Sequence, residues 1–435
     1  GRVELHLHLG DAAESLKAID CQFDIFFLDG FTPSKNPALW SDEIFKQMAR
    51  HSKKGTSFST YTAVGAIRRS LKSFGFEVER IKGFAFKRHM MRGTYRGFDE
   101  PPSLTKPYLR LPKNPAPQKP KIAIVGAGLA GSNLARVLSR EEAEIHLFDK
   151  AETIASAASG NPQGMLMPLL SKKVDPLGLL CKQGFRHAYN TLQNLDLPKE
   201  EGILELCINK ERVSRLNSAI ERFHPDYAEM LSADEIKEQF SFDFGVDGVL
   251  HKTACSLSPK MYCQKNIEAS KAELHLSTEV KALEKDGEGW LLKLATGDDF
   301  TADVVILANA GAAKQFSQTA ELPIRWARGQ LLEIPKKFLN VDQSVTLNFK
   351  NYLILNEAED YAVLGASFQI DDLEKQARDE DRDFLIASLR EKCPGLLKED
   401  IDFKLCRDRV AFRAVMPDHY PIVGPAPKKD FYDEH

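Results

Sequence analysis

The segment KIAIVGAGLAGSNLARVLSREEAEIHLFDK, residues 121–150, constrains this chain more than any other. An apolar strand runs into Gly126, Gly128 and Gly131, spaced G-x-G-x-x-G. A helix follows with Ala130, Leu134, Val137 and Leu138 on one stripe, and a second apolar strand closes on Asp149. Each residue type has a physical reason. Gly126 permits a tight turn, Gly128 lets the backbone come close to a pyrophosphate, and Gly131 lets the helix pack tightly on the strand. The helix N-terminus offers free N–H groups and its positive dipole end to phosphates. Asp149 can accept hydrogen bonds from ribose hydroxyls. Ala127, Leu129 and Ala130 between the glycines, and Lys150 beside the acid, complete the candidate contacts of this turn. A glycine turn that binds nothing is the structural alternative, but strand, helix and acid all stand where a dinucleotide needs them.

A proline-rich stretch, PPSLTKPYLRLPKNPAPQKPK, precedes this unit. Its prolines remove backbone donors and favour extended conformations, so residues 101–120 read as a semi-rigid Pro/Lys-rich linker. It separates a module over 1–100 from one over 121–435. In the first, strands are expected over Val3–Leu9, 24–28 and Thr56–Thr60, helices over Asp42–Arg50 and Val64–Phe74, and a closing strand pair near Glu77–Lys87. That alternation predicts a mostly parallel, doubly wound α/β sheet. It has no glycine-rich first turn, so it reads as the later part of such a fold.

The seven cysteines are an odd number with no Cys-x-x-Cys pair, which argues against a disulfide framework or a zinc site. No apolar run is long enough to span a membrane, and no secretory signal opens the chain. The expectation is a cytoplasmic protein with no metal, no membrane contact and no obligate protein partner. A formal net charge of −3 means that any nucleic-acid contact must come from a local patch.

The glycine pattern alone does not choose between FAD and NAD. Two further segments favour FAD: SAASGNPQG at 156–164, small and polar enough to wrap a pyrophosphate or flavin edge, and the strand VVILANAG at 304–311, which ends in small residues. Each is otherwise an ordinary turn. With RGQL at 328–331, LGASF at 364–368 and FRAVMPDHYPIVG at 412–424, they occur in the order found in the D-amino-acid-oxidase-like flavoproteins, which the second module resembles. The resemblance implies a Rossmann-type FAD domain assembled from about 121–170, 245–320 and 408–435, with an inserted α+β substrate domain at about 171–244 and 321–407. It adds Ser159, Asn161, Gln163, Gly164, Val280, Ala310, Gly311 and Gln330 to the cofactor contacts, with Gly329 beside them. It also places Arg413 where related enzymes hold a substrate carboxylate, a task suited to a bidentate guanidinium. Tyr352 falls at a substrate-facing position, with a core tyrosine as the alternative. FRAVMPDHYPIVG contains no cysteine, so the flavin is expected to be non-covalent.

In the first module, FFLDGFTPSKNPALW, TSFSTYTA and LKSFGFEVERIKGFAFKRHMMRG resemble the methyltransferase domain of the bifunctional tRNA 5-methylaminomethyl-2-thiouridine biosynthesis family. There this domain precedes an oxidase of the type just described. The resemblance implies two consecutive reactions on a tRNA wobble uridine: FAD-dependent removal of a carboxymethyl group from an amine, then methylation of that amine from S-adenosylmethionine. Asp29 would orient or deprotonate the acceptor amine, unless Asp29-Gly30 is simply a turn. Asp11 either contacts the adenine of S-adenosylmethionine or caps the following helix, and Phe31, Pro33 and Asn36 would shape the acceptor pocket. Residues 82–121 hold ten Lys or Arg against two acids, with Phe84, Phe86, Tyr95, Phe98 and Tyr108 interleaved. That strip suggests RNA phosphate contact, against a merely solvated linker.

The family's pattern places one glycine-rich loop before Gly1 and another after Gly424, so the chain reads as part of a longer parent. Two competing readings are a free glycine- or sarcosine-type amine oxidase, and a tRNA-binding protein with vestigial sites. The methyltransferase-like half argues against the first, and the intact glycine fingerprint with Arg413 against the second.

Overall fold

The computed structural model describes residues 5–19, 21–83, 88–97, 117–170, 176–195, 197–220, 227–341, 344–356 and 359–426. The chain forms two compact units, 1–114 and 115–435, whose division falls in the proline-rich stretch. Most of that stretch lies outside the described residues.

The first unit runs α1 (Ala12–Ala18), β1 (Phe23–Leu28), α2 (Asp42–Arg50), β2 (Ser52–Thr60), α3 (Gly65–Ser73), β3 (Phe76–Lys82) and β4 (His89–Tyr95). Its sheet order is β1-β2-β4-β3. β1 and β2 are parallel, while β4 runs antiparallel to both neighbours, so the expected mostly parallel sheet is corrected to a mixed one. Antiparallel neighbours such as β3 and β4 need only a few connecting residues, whereas a parallel pair would need a crossover. Helix α2 buries Ile44, Phe45, Met48 and Ala49 as one stripe, joined by Phe58, Leu71, Phe76 and Met91 from the other elements. Gly93 interrupts β4 for a packing reason: an added Cβ would lie 2.2 Å from the Glu77 carbonyl and 2.4 Å from the Phe58 ring. The strand expected over Val3–Leu9 is absent in its described part. Residues 5–9 join no ladder, and Leu5, Leu7 and Leu9 are exposed.

The second unit begins with β5 (Lys121–Val125), α4 (Leu129–Leu138) and β6 (Glu144–Phe148). It continues through β7 (Gly164–Leu166), α5 (Pro176–Gln193), β8 (Lys199–Leu206), α6 (Lys210–Ile220), β9 (Glu229–Leu231), α7 (Ala233–Phe240) and β10 (Gly248–Leu257). Then come α8 (Pro259–Glu268), β11 (Glu273–His275), β12 (Val280–Asp286), β13 (Gly289–Leu294), β14 (Asp299–Ala302) and β15 (Val304–Leu307). The remainder is β16 (Arg325–Pro335), β17 (Val345–Asn348), β18 (Tyr352–Leu355), β19 (Tyr361–Gly365), β20 (Gln369–Ile370), α9 (Asp379–Lys392) and β21 (Arg407–Val415).

Three sheets result. The parallel sheet β11-β6-β5-β15 carries the glycine turn at its carboxyl edge, and β12-β13-β14 form a meander whose apolar side packs with Val125 and Phe148. The ten-stranded sheet runs β20-β16-β19-β18-β17-β8-β10-β7, with β21 beside β16 and β9 beside β10. Strands β7, β10 and β21, from the segments that the sequence reading assigned to cofactor binding, hydrogen-bond into this large sheet. Their partners are far away in sequence, which local pattern cannot reveal. No helix among the described residues is long and apolar enough to cross a membrane.

Two buried polar clusters tie helices to the large sheet. Arg328 on β16 is fully buried and bonds the Asp381 carboxylate on α9, the Glu374 and Gln376 carbonyls and the Gln330 amide oxygen. Glu205 on β8 accepts from His251 (3.0 Å) and from Arg212 of α6 (2.7 Å), while Arg212 also donates to the Phe349 carbonyl (2.6 Å). Burial alone would raise the Glu205 pKa, but the bonds and charges of His251 and Arg212 hold it below the usual carboxylate value.

Asp381→Ala leaves the Arg328 charge buried without its partner, and is expected to cost about 3–5 kcal/mol in denaturant unfolding of this unit. The depressed Glu205 pKa contributes stability that is present at neutral pH and lost as pH falls through its folded value. Unfolding free energy measured from pH 7 downward should therefore drop in the acid range. Glu205→Gln should be less stable at neutrality and show a shallower acid limb.

Candidate functional site

At the glycine turn the chain leaves β5 through Gly126, whose φ of +109° favours glycine. A Cβ on Gly126 would lie 2.7 Å from the Ala308 carbonyl oxygen, and one on Gly131 only 1.8 Å from the Gly126 oxygen. Both glycines are thus demanded by backbone meeting backbone. The Asp149 carboxylate holds the turn from below, accepting from Ala127 N–H (2.8 Å) and Ala151 N–H (2.9 Å). Its own N–H donates to the His275 carbonyl at 2.9 Å. Sequence reasoning assigned Asp149 to a ribose; this scaffolding role went unread. Ser159 Oγ accepts the Leu129 N–H (3.1 Å) and lies where a Gly128 side chain would go. The Ala130 and Gly131 N–H groups follow in the first turn of α4, without intrahelical acceptors. Leu129, Ala130 and Lys150 are exposed.

The second candidate segment is clasped by Arg409 of β21, which donates to Asn161 Oδ1 (3.2 Å) and the Ala157 carbonyl (2.9 Å). Sequence reasoning missed Arg409. The signal was there in RDRVAFRAV, where Arg407, Arg409 and Arg413 stand two and four residues apart and so share a strand face. After β15, Ala310 is exposed with φ +53°, and Gly311 is buried against Trp326, whose ring lies 2.6 Å from any added Cβ. Gly164 opens β7 against Pro259. The Gln163 and Asn309 side-chain oxygens are buried with no protein donor, one in each of the two candidate segments. Orphaned acceptors of this kind normally have a ligand or water. With the glycine cradle, they fit a bound dinucleotide.

The polar or side-chain groups of two expected contacts are engaged by protein. Val280 is a core side chain whose carbonyl is bonded by Gln315 (2.9 Å). Gln330 has no amide capacity left for a flavin. Its Nε2 donates to the Arg378 carbonyl and Asp408 (both 2.9 Å), and its Oε1 accepts from Arg378 N–H (2.8 Å) and Arg328 (3.2 Å). Strand alternation turns it to the face opposite Arg413.

Register places the remaining candidates together. Arg413 stands opposite Ala327, Arg409 opposite Leu331, Leu331 opposite Gly365, and Gly365 opposite Tyr352. All point to one face of the large sheet, and Ala327, Gly329, Ala411 and Gly365 between them leave a low floor. A Cβ on Gly365 would collide with the Tyr352 phenol at 2.4 Å. Burial raises the Tyr352 pKa, with the positive charge of Arg413 opposing it, so the phenol stays a neutral donor near the guanidinium.

In the first unit, Asp29 follows β1 at its carboxyl end and is exposed. Its loop is pinned by Tyr61 Oη donating to the Gly30 carbonyl (2.7 Å) and Trp40 Nε1 to the Phe31 carbonyl (2.8 Å). Phe31 is exposed, while Pro33 and Asn36 are half-buried. Asp11 caps α1, accepting from the Ala13 and Glu14 N–H groups, which realises the capping alternative. The described residues of this unit form no glycine cradle comparable with that at Gly126. Much of the basic, aromatic strip at 82–121, including Phe84, Phe86, Phe98 and Tyr108, lies outside the described residues. Arg92 and Arg96 within it pair with Glu79 and Glu77 on β3, so part of its positive charge is neutralised.

Residues 121–433 match the model of the FAD dependent oxidoreductase family, and residues 1–96 that of an S-adenosyl-L-methionine-dependent methyltransferase family. Among solved structures, glycine oxidase from Geobacillus kaustophilus has a TM-score of 0.58 at 18% identity, covering 72% of this chain and 87% of that one. Iminodiacetate oxidase from Chelativorans has a TM-score of 0.58 at 19% identity, covering 70% and 86%. These likenesses establish the oxidase fold. Among curated proteins, the tRNA 5-methylaminomethyl-2-thiouridine biosynthesis bifunctional protein MnmC of Pseudomonas paraeruginosa is 31% identical over all of this chain and 67% of its own length. The protein of the same name in Ectopseudomonas mendocina is 31% identical over 98% of this chain and 65% of its own length. With both domains in the same order and this identity along the whole chain, the chain belongs to the bifunctional MnmC family, joining an S-adenosylmethionine-dependent methyltransferase domain to an FAD-dependent oxidoreductase domain.

Proposed function

We propose that the parent protein modifies the wobble uridine of tRNA in two steps, and that this chain carries the oxidase and part of the methyltransferase. In the first step 5-carboxymethylaminomethyl-(2-thio)uridine loses its carboxymethyl group; in the second, the freed amine is methylated. The single observation that carries the oxidase reading is the sheet face on which Arg413 and Tyr352 converge beside the Arg409-clasped loop. The group removed is a glycine attached through its nitrogen, so a guanidinium that grips a carboxylate in bidentate fashion suits it.

The roles follow from this placement. Arg413 binds the carboxylate and Tyr352 donates a hydrogen bond from its neutral phenol, fixing the glycyl carbon over the low floor of the sheet. The Gly126–Gly131 turn would hold FAD, which would supply a hydride acceptor for that carbon. The Gly126–Gly131 turn, the Ala130 and Gly131 N–H groups and the Asp149-supported loop hold the dinucleotide, with Ser159, Asn161, Gln163, Gly164, Ala310 and Gly311 around it. The substrate's carbon–nitrogen double bond is then hydrolysed by water, giving glyoxylate and the aminomethyl uridine. Asp29, exposed at a strand's carboxyl end, would take a proton from that amine in the second step, since only the neutral amine attacks a methyl group. The parallel sheet serves as the cofactor domain and the large sheet as the substrate domain. A tRNA partner and a cytoplasmic location belong to the same reading.

Anaerobic mixing of the parent protein with tRNA carrying carboxymethylaminomethyl-uridine should bleach the flavin absorbance rapidly, with free glycine and sarcosine far slower. Bleaching by the small amines alone would instead make this a free amine oxidase. Arg413→Ala should retain flavin but lower kcat/KM on the tRNA by roughly 30- to 700-fold, equivalent to about 2–4 kcal/mol. Unchanged kinetics would mean that the carboxylate is held elsewhere.

A further inference from the structure

Outside both candidate sites, the parallel sheet gathers a cluster that the proposed reactions do not use. His146 on β6 and His275 on β11 come within 3.0 Å of one another, Nδ1 to Nε2. The Glu273 carboxylate on β11 stands 3.6 Å from each of these nitrogens. Two parallel neighbouring strands bring them together, with Glu273 directly opposite His146 in the register. Because the ligands come from strands far apart in sequence, no spacing motif announced them, and the sequence reading expected no metal.

We infer that His146 Nδ1, His275 Nε2 and the Glu273 carboxylate form a binding site for a borderline divalent transition metal such as zinc. Three observations carry this. Donors bound about 2.0–2.1 Å from a tetrahedral ion lie roughly 3.3 Å apart. The two nitrogens are 3.0 Å apart, one Glu273 oxygen lies 3.6 Å from His146 Nδ1 and the other 3.6 Å from His275 Nε2, and one donor atom from each residue falls within 4.8 Å of the other two. His146 Nε2 lies 2.7 Å from Glu144 Oε1, so the carboxylate accepts its N–H and leaves the Nδ1 lone pair facing the cluster. This is the outer-shell arrangement that orients metal-bound histidines. Two carboxylates, Glu144 and Glu273, face the site, with Lys121 3.7 Å from Glu144. The rings are wedged in place: His275 stacks on Phe148 at 4.5 Å, and His146 meets Phe300 edge-on at 4.7 Å. Glu273 is mostly exposed, giving the ion a way in and room for a water as fourth ligand.

The site has a structural consequence. β11 is a three-residue edge strand, and the His275 carbonyl accepts the Asp149 N–H. A metal joining β6 to β11 fastens that edge directly beneath the residue that supports the dinucleotide turn.

The test is titration of the tag-free, chelator-stripped full chain with Co²⁺, followed by displacement with Zn²⁺. One equivalent of Co²⁺ should bind with visible d–d absorption and no thiolate charge-transfer band, and Zn²⁺ should displace it. His275→Asn and Glu273→Gln should abolish stoichiometric binding. Glu144→Gln, which changes no ligand, should weaken binding roughly 10- to 100-fold. Far-ultraviolet circular dichroism and retained flavin would show that the variants are folded, and Glu273→Gln alters only an exposed side chain. No stoichiometric uptake by the unaltered chain would overturn the inference and leave a hydrogen-bonded histidine pair. So would a thiolate band, which would put the metal on cysteine, or full affinity in the folded Glu273→Gln and His275→Asn variants.

Discussion

Everything in the oxidase unit depends on one close approach of backbone to backbone. The first turn of α4 lies so near the end of β5 that Gly131 has no space for a single carbon beyond its Cα. That contact sets the position of the helix N-terminus, and therefore where its free N–H groups aim. Asp149 ties the turn through the Ala127 N–H and its own loop through the Ala151 N–H, and β11 in turn holds Asp149. Protein contacts thus help shape the turn, which lowers the conformational cost of binding a ligand there.

The large sheet does a different task on each face. One side is sealed against α9 by Arg328, Gln330 and Asp381, whose hydrogen-bonding groups satisfy one another. The other presents Arg413, Tyr352 and Arg409 over small residues. Alternation along β16 and β21 makes the division, since adjacent residues on a strand must face opposite ways. A buried polar network on one side thereby anchors the strands whose other side is left for chemistry.

The cofactor turn was legible in the sequence because its requirements are local. Three glycines, a helix stripe and an acid within one short segment can be read without knowing what lies elsewhere. Arg413 and Tyr352 came from resemblance, and their placement on one face depends on pairing across four strands that no local pattern encodes. The pairing of β7, β10 and β21 with distant strands was likewise beyond local pattern, and so was the reversal of β4. Asp149 and Gln330 show a subtler failure. Their residue types fit a cofactor, yet Asp149 supports the backbone as well, and the Gln330 amide is fully taken up by protein groups. Hydrogen-bond capacity is a property of the folded neighbourhood, which a motif does not specify.

The pairing of β21 with β16 has a geometric corollary. The two strands stay in register through nine residue pairs, from Arg407 to Val415. Arg409, which bonds the loop at Ala157 and Asn161, and Arg413 on the same face are therefore held a fixed four residues apart, about 14 Å along the strand. Neither can shift relative to the other without breaking the ladder. On the proposed reading of Arg413, the strand would act as a ruler of reach: how far a molecule's anionic end can lie from the atom presented to the cofactor. Selection by length can thus be written into a β-ladder, leaving the surrounding loops free to vary with whatever large body the small reacting group is attached to.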